Sequence, residues 1–277
     1  MTKKTAALVG CSDPLPEHEI EDVKRLVGVL AKENIEAKVS PLLFSGSRVP
    51  AEKAAVLNGF FGDPSVDYIF DVSGGDLANT VLPFLDWDLI RASRAMFFGF
   101  SDLTTVINAI IAKTGRPAVN YQIRNLLYDD AENQIKHFRE QIIPCSFDVK
   151  CLSPVFLRGG RMEGKVFGGN IRCFLKLAGT EFWPDMTGGV LLLESLGGGV
   201  YQMVTAIEQY SQLGVFDKIN GILLGTFTAM EEKKLSPAIE DIVLRMAPEH
   251  IPVAKTRLLG HYPDSRALLL GSQTVFE

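Results

Sequence analysis

The sequence is short of the residues from which metal and redox sites are made. It has four histidines, His18, His137, His250 and His261, and four cysteines, Cys11, Cys145, Cys151 and Cys173. The cysteines lack C-x-x-C spacing, and no His, Cys, Asp and Glu cluster has metal-ligand spacing, so no metal and no cofactor is expected. Free, buried thiols suit a reducing compartment. Positive charge is not concentrated anywhere. The 28 basic and 33 acidic residues are mixed along the chain, the formal charge is −5, and the absence of a basic stripe argues against nucleic acid as a partner. No apolar run reaches the roughly 18–20 residues of a membrane helix. There is no internal repeat and no low-complexity tract.

What is present is a chain of 277 residues, 47% hydrophobic and 22% charged, which allows one large or two ordinary domains with a sizeable core. Lys3-Lys4 followed by Ala6-Ala7-Leu8-Val9-Gly10-Cys11 mimics a lipoprotein signal. The apolar stretch is only about six residues where a signal core takes about 7–15, so it reads as a first buried strand in a cytoplasmic protein. Apolar strands at 5–9, 37–43, 66–72 and up to Ser101 alternate with helical spacing at 17–33, 50–61 and from Thr104. Such alternation predicts a parallel sheet with helices on both faces, with ligands at the carboxyl ends of its strands. Residues 128–142 read as a polar helix; His18, in the pattern at 17–33, and His137, in this one, read as solvated, and His250 falls at a helix end. Residues 144–156 read as two short β pieces around Ser153-Pro154. Beyond them lies the glycine-bounded stretch 164–169. Further strands are expected at 189–194 and 219–224 and an extended piece at 253–258, with helices at 170–177, 200–213 and 237–246. The expected division is a first domain at 1–140, a linker at 141–160 and a second domain at 161–277.

The centre of the pattern is Gly99-Phe100-Ser101-Asp102-Leu103-Thr104. A buried strand that turns sharply into a helix lifts the turn residue above the sheet edge and aims backbone N–H groups at it. Ser101 there is a candidate nucleophile or, equally, a helix cap. A serine nucleophile needs a base, and the base needs an orienting group. His261 follows Gly260 in a turn and can serve as that base or be an ordinary loop histidine. Glu194 closes the apolar strand Val190-Leu191-Leu192-Leu193. Buried there it needs a partner, and an imidazole N–H would supply one; otherwise it is an exposed strand end or accepts from the helix near Val200. The turns Ser73-Gly74-Gly75 and Gly197-Gly198-Gly199 fit no phosphate-loop pattern, and Asp76 and Glu194 beside them disfavour a phosphate. An oxyanion hole is their other use, with the backbone N–H of Gly75 or Asp76 joining that of Asp102.

Beyond spacing, the runs Ser73-Gly74-Gly75-Asp76-Leu77-Ala78-Asn79, Leu82-Pro83-Phe84-Leu85-Asp86-Trp87 and Gly99-Phe100-Ser101-Asp102 resemble the N-terminal domain of the LD-carboxypeptidase family of serine peptidases, family S66. Gly168-Gly169-Asn170, Leu191-Leu192-Leu193-Glu194, Gly221-Ile222-Leu223-Leu224-Gly225 and Gly260-His261 resemble its C-terminal domain. The resemblance implies an α/β protein with a Rossmann-like parallel-sheet N-terminal domain and a separate, smaller α/β C-terminal domain, the active site lying between them. It implies Ser101 as nucleophile, His261 as base and then acid, and Glu194 as the group orienting His261. The backbone at Gly75 and Asp102 would hold the oxyanion, and Gly74, Asp76 and Asn79 would bind substrate. It also implies a cytoplasmic homodimer acting on a small peptide or muropeptide. Muropeptide-cleaving members usually carry an Arg before the paired glycines and a Tyr after them. Ser73 and Asp76 stand there, which leans the turn toward the microcin C immunity peptidases of the same family. Three functions follow: an LD-carboxypeptidase releasing D-alanine from murein tetrapeptide, an amidase cleaving a peptidyl- or aminoacyl-nucleotide, and a non-catalytic module binding nucleotides or muropeptides.

Overall fold

The computed structural model describes residues 3–44 and 49–277. In chain order the strands are β1 (Lys4–Val9), β2 (Ile35–Val39), β3 (Tyr68–Asp71), β4 (Met96–Gly99), β5 (Ala118–Asn120) and β6 (Val155–Arg158). They continue as β7 (Met162–Asn170), β8 (Val190–Ser195), β9 (Gly221–Phe227), β10 (Val253–Lys255), β11 (Leu268–Leu270) and β12 (Gln273–Phe276). The helices are α1 (Ile20–Lys32), α2 (Pro50–Gly62), α3 (Trp87–Ala92), α4 (Thr104–Thr114), α5 (Ala131–His137), α6 (Ile171–Leu175), α7 (Val200–Gln212), α8 (Thr228–Glu232) and α9 (Ile239–Met246).

The strands form two sheets, in the orders β11-β5-β4-β3-β1-β2 and β12-β7-β8-β9-β10-β6. In the first, β1 to β5 pair in parallel and only β11 is antiparallel. The order 2-1-3-4-5 is a doubly wound arrangement that reverses between β1 and β3, where such sheets bind ligands. In the second, β7 to β10 are parallel and the edges β12 and β6 antiparallel. Every residue of β3, β8 and β9 is buried, as expected for strands covered on both faces. The two mixed α/β halves agree with the expected fold class.

α4 joins the halves. Residues 104–111 are all buried, because the helix packs on β4 and β5 of one sheet and on β7 and α6 of the other. The Asn108 amide donates to Gly168 O at 2.8 Å and accepts from Gly168 N at 2.9 Å. Thr104 Oγ1 accepts from Asn170 N at 3.0 Å. Gly169, at φ +131°, allows that approach, since a Cβ there would lie 2.6 Å from Thr104 Oγ1.

Several local expectations are corrected. Residues 144–156 contain one strand start rather than two β pieces: Val149–Leu152 is a 3-10 turn whose Asp148 carboxylate accepts from Lys150 N. The helix at 128–142 is not polar all round, since Gln134, His137, Phe138 and Ile142 are buried. Cys11 and Cys173 are buried, but Cys145 is exposed and Cys151 half-buried. Apart from these corrections, β6 lies in the second sheet, and β11, late in the chain, crosses back to pair with β5. Among the described residues no helix is long and apolar enough to cross a membrane.

Candidate active site

Ser101 sits on a strained elbow. β4 stops at Gly99, Phe100 is extended, and Ser101 takes φ +56° before a single 3-10 turn runs into α4. Such a left-handed serine costs on the order of 1–3 kcal/mol, a cost tolerated where the surroundings enforce it. Gly99 permits the bend, because a Cβ there would lie 2.6 Å from Leu103 Cβ. Neither the 3-10 turn nor α4 has a side-chain cap. The capping alternative for Ser101 therefore fails, and its Oγ lies 3.2 Å from His261 Nε2.

His261 reaches that position from a braced loop. Gly260 has φ +136°, and a Cβ there would lie 1.9 Å from Thr226 Oγ1, so the loop presses directly onto β9. Ser265 Oγ donates to Gly260 O and Tyr262 O. From the other half, the Gln134 amide donates to Pro263 O and Ser265 O, each at 2.9 Å. Ala267 N–H donates to His137 Nε2 at 3.0 Å. His137 is therefore a buried acceptor, not a solvated surface group, and burial, with help from Arg266, lowers its pKa from 6.5 to about 4. Phe100 lays its ring against the imidazole of His261, centroids 4.5 Å apart.

Glu194 is 1% exposed. Its Oε2 lies 2.7 Å from His261 Nδ1. Among the described residues Oε1 has no partner, so the imidazole is what satisfies this carboxylate. A carboxylate only accepts, so Nδ1 carries the hydrogen and Nε2 is left as an acceptor facing the Ser101 hydroxyl. Removal of a proton from Ser101 by Nε2 is thus geometrically prepared.

Behind the serine lies a buried polar relay that spacing did not disclose. Asp102 is fully buried; its Oδ2 accepts from Ser12 Oγ at 2.6 Å and Ala78 N at 2.8 Å. Its Oδ1 accepts from Lys176 Nζ at 2.6 Å. Burial works against the Lys176 ammonium, but the hydrogen bond and charge of Asp102 outweigh it and raise its pKa. Ser73 donates to Asp71 Oδ1 and accepts from Ser12 N. Burial raises the Asp71 carboxyl above the usual range against the pull of these bonds. The relay ties the Ser101 elbow to the glycine turn after β3, where Gly75 has φ +124° and a Cβ would lie 2.2 Å from the Asp13 carboxyl carbon. Asp76 N–H already donates to Asp13 Oδ1.

A cavity of about 790 Å³ opens beside Ser101. Gly75, Asp76, Asn170, Arg172, Lys176 and Leu196 are among the residues that line it, whereas Gly74 and Asn79 do not. Among the described residues no group of three or more His, Cys, Asp or Glu is placed to hold a metal ion.

A strained serine facing an imidazole that faces a buried carboxylate defines the class: a serine-type hydrolase on paired α/β sheets. Residues 6–121 match the LD-carboxypeptidase N-terminal domain, and residues 163–276 match the LD-carboxypeptidase C-terminal domain. The protein belongs to the LD-carboxypeptidase family and is a serine-type peptidase. It is 26% identical to the murein tetrapeptide carboxypeptidase of Pseudomonas aeruginosa over 80% of this chain and 76% of that protein. It is likewise 26% identical to the microcin C7 self-immunity protein MccF of Escherichia coli, over 63% of this chain and 60% of that one. In fold it resembles MccF in complex with glutamyl sulfamoyl guanosine, with a TM-score of 0.87 at 20% identity, covering 99% of this chain and 93% of the other. A MccF-like protein from Streptococcus pneumoniae, in complex with AMP, gives a TM-score of 0.84 at 19% identity over 99% and 96% of the two chains.

Proposed function

We propose that the protein is an LD-carboxypeptidase that releases the terminal D-alanine of murein tetrapeptide through Ser101, His261 and Glu194. The observation that carries this reading is the continuous contact from Glu194 through His261 to Ser101, at 2.7 and 3.2 Å. Ser101 Oγ attacks the amide carbonyl as His261 Nε2 takes its proton, and Glu194 stabilises the imidazolium. The oxyanion turns toward the backbone N–H groups of Gly75 and Asp102. His261 returns the proton to the leaving nitrogen, the C–N bond breaks, and D-alanine departs. Water, activated by the same imidazole, then hydrolyses the ester and restores Ser101.

A second reading is favoured by the turn after β3, where Ser73 and Asp76 stand in place of the Arg and Tyr usual in muropeptide-cleaving members. On that reading a peptidyl- or aminoacyl-nucleotide amide is the alternative substrate. Both readings place the protein in the cytoplasm, as a homodimer. The test is to incubate the pure protein with murein tetrapeptide and with an aminoacyl sulfamoyl nucleoside and to read products by mass spectrometry. Loss of the D-alanine mass, abolished by Ser101→Ala, is the expected result. Turnover of the nucleoside alone selects the second reading. Ligand binding with neither turnover nor labelling of Ser101 by a fluorophosphonate selects a non-catalytic module.

A further inference from the structure

We propose that Arg172 is the receptor for the free carboxylate of the substrate's leaving residue. The proposal rests on the peptidase reading for which bond is cut, but not for what the cavity binds. A carboxypeptidase must recognise a chain end, and the turn after β3 offers no cation of its own. Ser73 is buried and hydrogen-bonded to Asp71 and Ser12. The cavity wall beside Ser101 carries two cations, Arg172 in α6 and Lys176 just after it.

These two are not equivalent. The Lys176 ammonium is committed to the fully buried Asp102 and to the backbone carbonyl of Asp76, at 2.6 and 3.0 Å. Withdrawing it would strand a buried carboxylate. Arg172 is 72% exposed, and among the described residues its hydrogen bond is one Nη2–H donated to Asp76 Oδ1 at 2.9 Å, an oxygen that Lys176 Nζ also approaches at 3.4 Å. Asp76 is itself 64% exposed. An ion pair this open to water contributes little and is readily rearranged. A guanidinium is a planar fork with five N–H donors, matched to two-point recognition of a carboxylate. With a peptide in the cavity, water is displaced and such bonds strengthen. The exposed pair therefore acts as a place-holder: Asp76 keeps the guanidinium at the cavity wall beside the turn that bears Gly75, until a substrate carboxylate takes the fork. Arg172 thus places across the cavity the positive charge that Ser73 does not supply.

The test uses the full chain carrying Ser101→Ala, titrated calorimetrically with Nα-acetyl-L-lysyl-D-alanine and with its C-terminal amide. The acid is expected to bind about tenfold or more tightly than the amide, the value of one good charge-assisted contact. Arg172→Gln in the same background should bring the acid to the level of the amide. Arg172→Lys, which keeps the charge without the fork, should fall between. Thermal melting confirms that each variant is folded. Equal binding of acid and amide, no binding of the acid at millimolar concentration, or a preference that survives Arg172→Gln overturns the assignment. Failure of the peptidase reading is separate: it shows as an unmodified Ser101 and intact peptide in the wild-type assay, whatever the titration gives.

Discussion

Lys176→Met is the perturbation that asks most of the structure, because it isolates one charge. Asp102 is fully buried and takes hydrogen bonds from Ser12 Oγ, Ala78 N–H and Lys176. Methionine keeps most of the side-chain volume but leaves Asp102 with neutral donors only, Ser12, Ala78 N–H and Cys173. Breaking a buried pair by deleting one partner costs about 3–5 kcal/mol. The Lys176 side chain is 20% exposed, so water reaches the site and the lower end applies. About 3 kcal/mol corresponds to a Tm lowered by roughly 6–12 °C in a chain of this size. The control is Lys176→Met combined with Asp102→Asn. The amide oxygen still accepts from Ser12 and Ala78 and no charge is stranded, so the pair should recover at least about 1 kcal/mol over the single variant. Thermal and urea melts of wild type, both single variants and the pair complete the cycle. A single variant within about 0.5 kcal/mol of wild type, or a pair that sums the single costs, would refute the view that Asp102 is a buried anion held by Lys176.

Three further outcomes are expected. Glu194→Gln should preserve the fold but lower kcat by about 10³–10⁴, because an amide can no longer select the tautomer that leaves Nε2 free; rates with murein tetrapeptide check this. Gly260→Ala should cost at least about 2 kcal/mol and much of the activity, since the new Cβ would lie 1.9 Å from Thr226 Oγ1 at a φ of +136°. It is read by melting and by labelling of Ser101. His137 makes stability fall in acid. Its pKa is lowered from 6.5 to about 4, so below 6.5 the unfolded chain takes up a proton that the folded chain refuses. Stability from this group is complete above pH 6.5 and is lost down to pH 4, by about 3 kcal/mol in all. His137→Gln, whose amide oxygen can still accept from Ala267 N–H, should flatten that slope in urea melts taken between pH 7 and pH 4.

The catalytic candidates were visible locally but not decided locally. An apolar strand running into Gly-Phe-Ser and a helix suits an elbow or a cap. A glutamate closing four apolar residues is a buried charge or an exposed strand end. A histidine after glycine is a base or an ordinary loop residue, and it was the resemblance to the family that chose among these readings. Helix α4 also carried a signal, since a helix apolar nearly all round must be covered on all sides. The residues that support these groups were not legible. Gln134 and His137 sit in a stretch rich in polar residues, and only the returning loop at 261–267 makes them buried partners. Arg172 and Lys176 carry no local signal of a site, and only the fold sets them beside the glycine turn. The strands β11 and β12 are three- and four-residue runs whose pairing partners lie about a hundred or more positions away, beyond the reach of any periodicity.

That division has a physical consequence for how the site is kept. The proposed nucleophile belongs to the first sheet, and its proposed base and orienting carboxylate belong to the second, so their geometry is a property of the joint between the halves. The joint is made of specific polar contacts: Asn108 with Gly168, Thr104 with Asn170, Lys176 with Asp102. β11 adds a backbone interlock by carrying the late chain back to β5. Packing alone would let two apolar surfaces slide, since the hydrophobic effect has no direction. Hydrogen bonds to buried groups do not tolerate sliding, because each ångström of displacement leaves a donor or acceptor unpaired. The Ser101–His261 distance therefore depends on polar residues whose side chains touch neither the serine hydroxyl nor the imidazole, and variants at Asn108 or Thr104 should alter rates before they alter the fold.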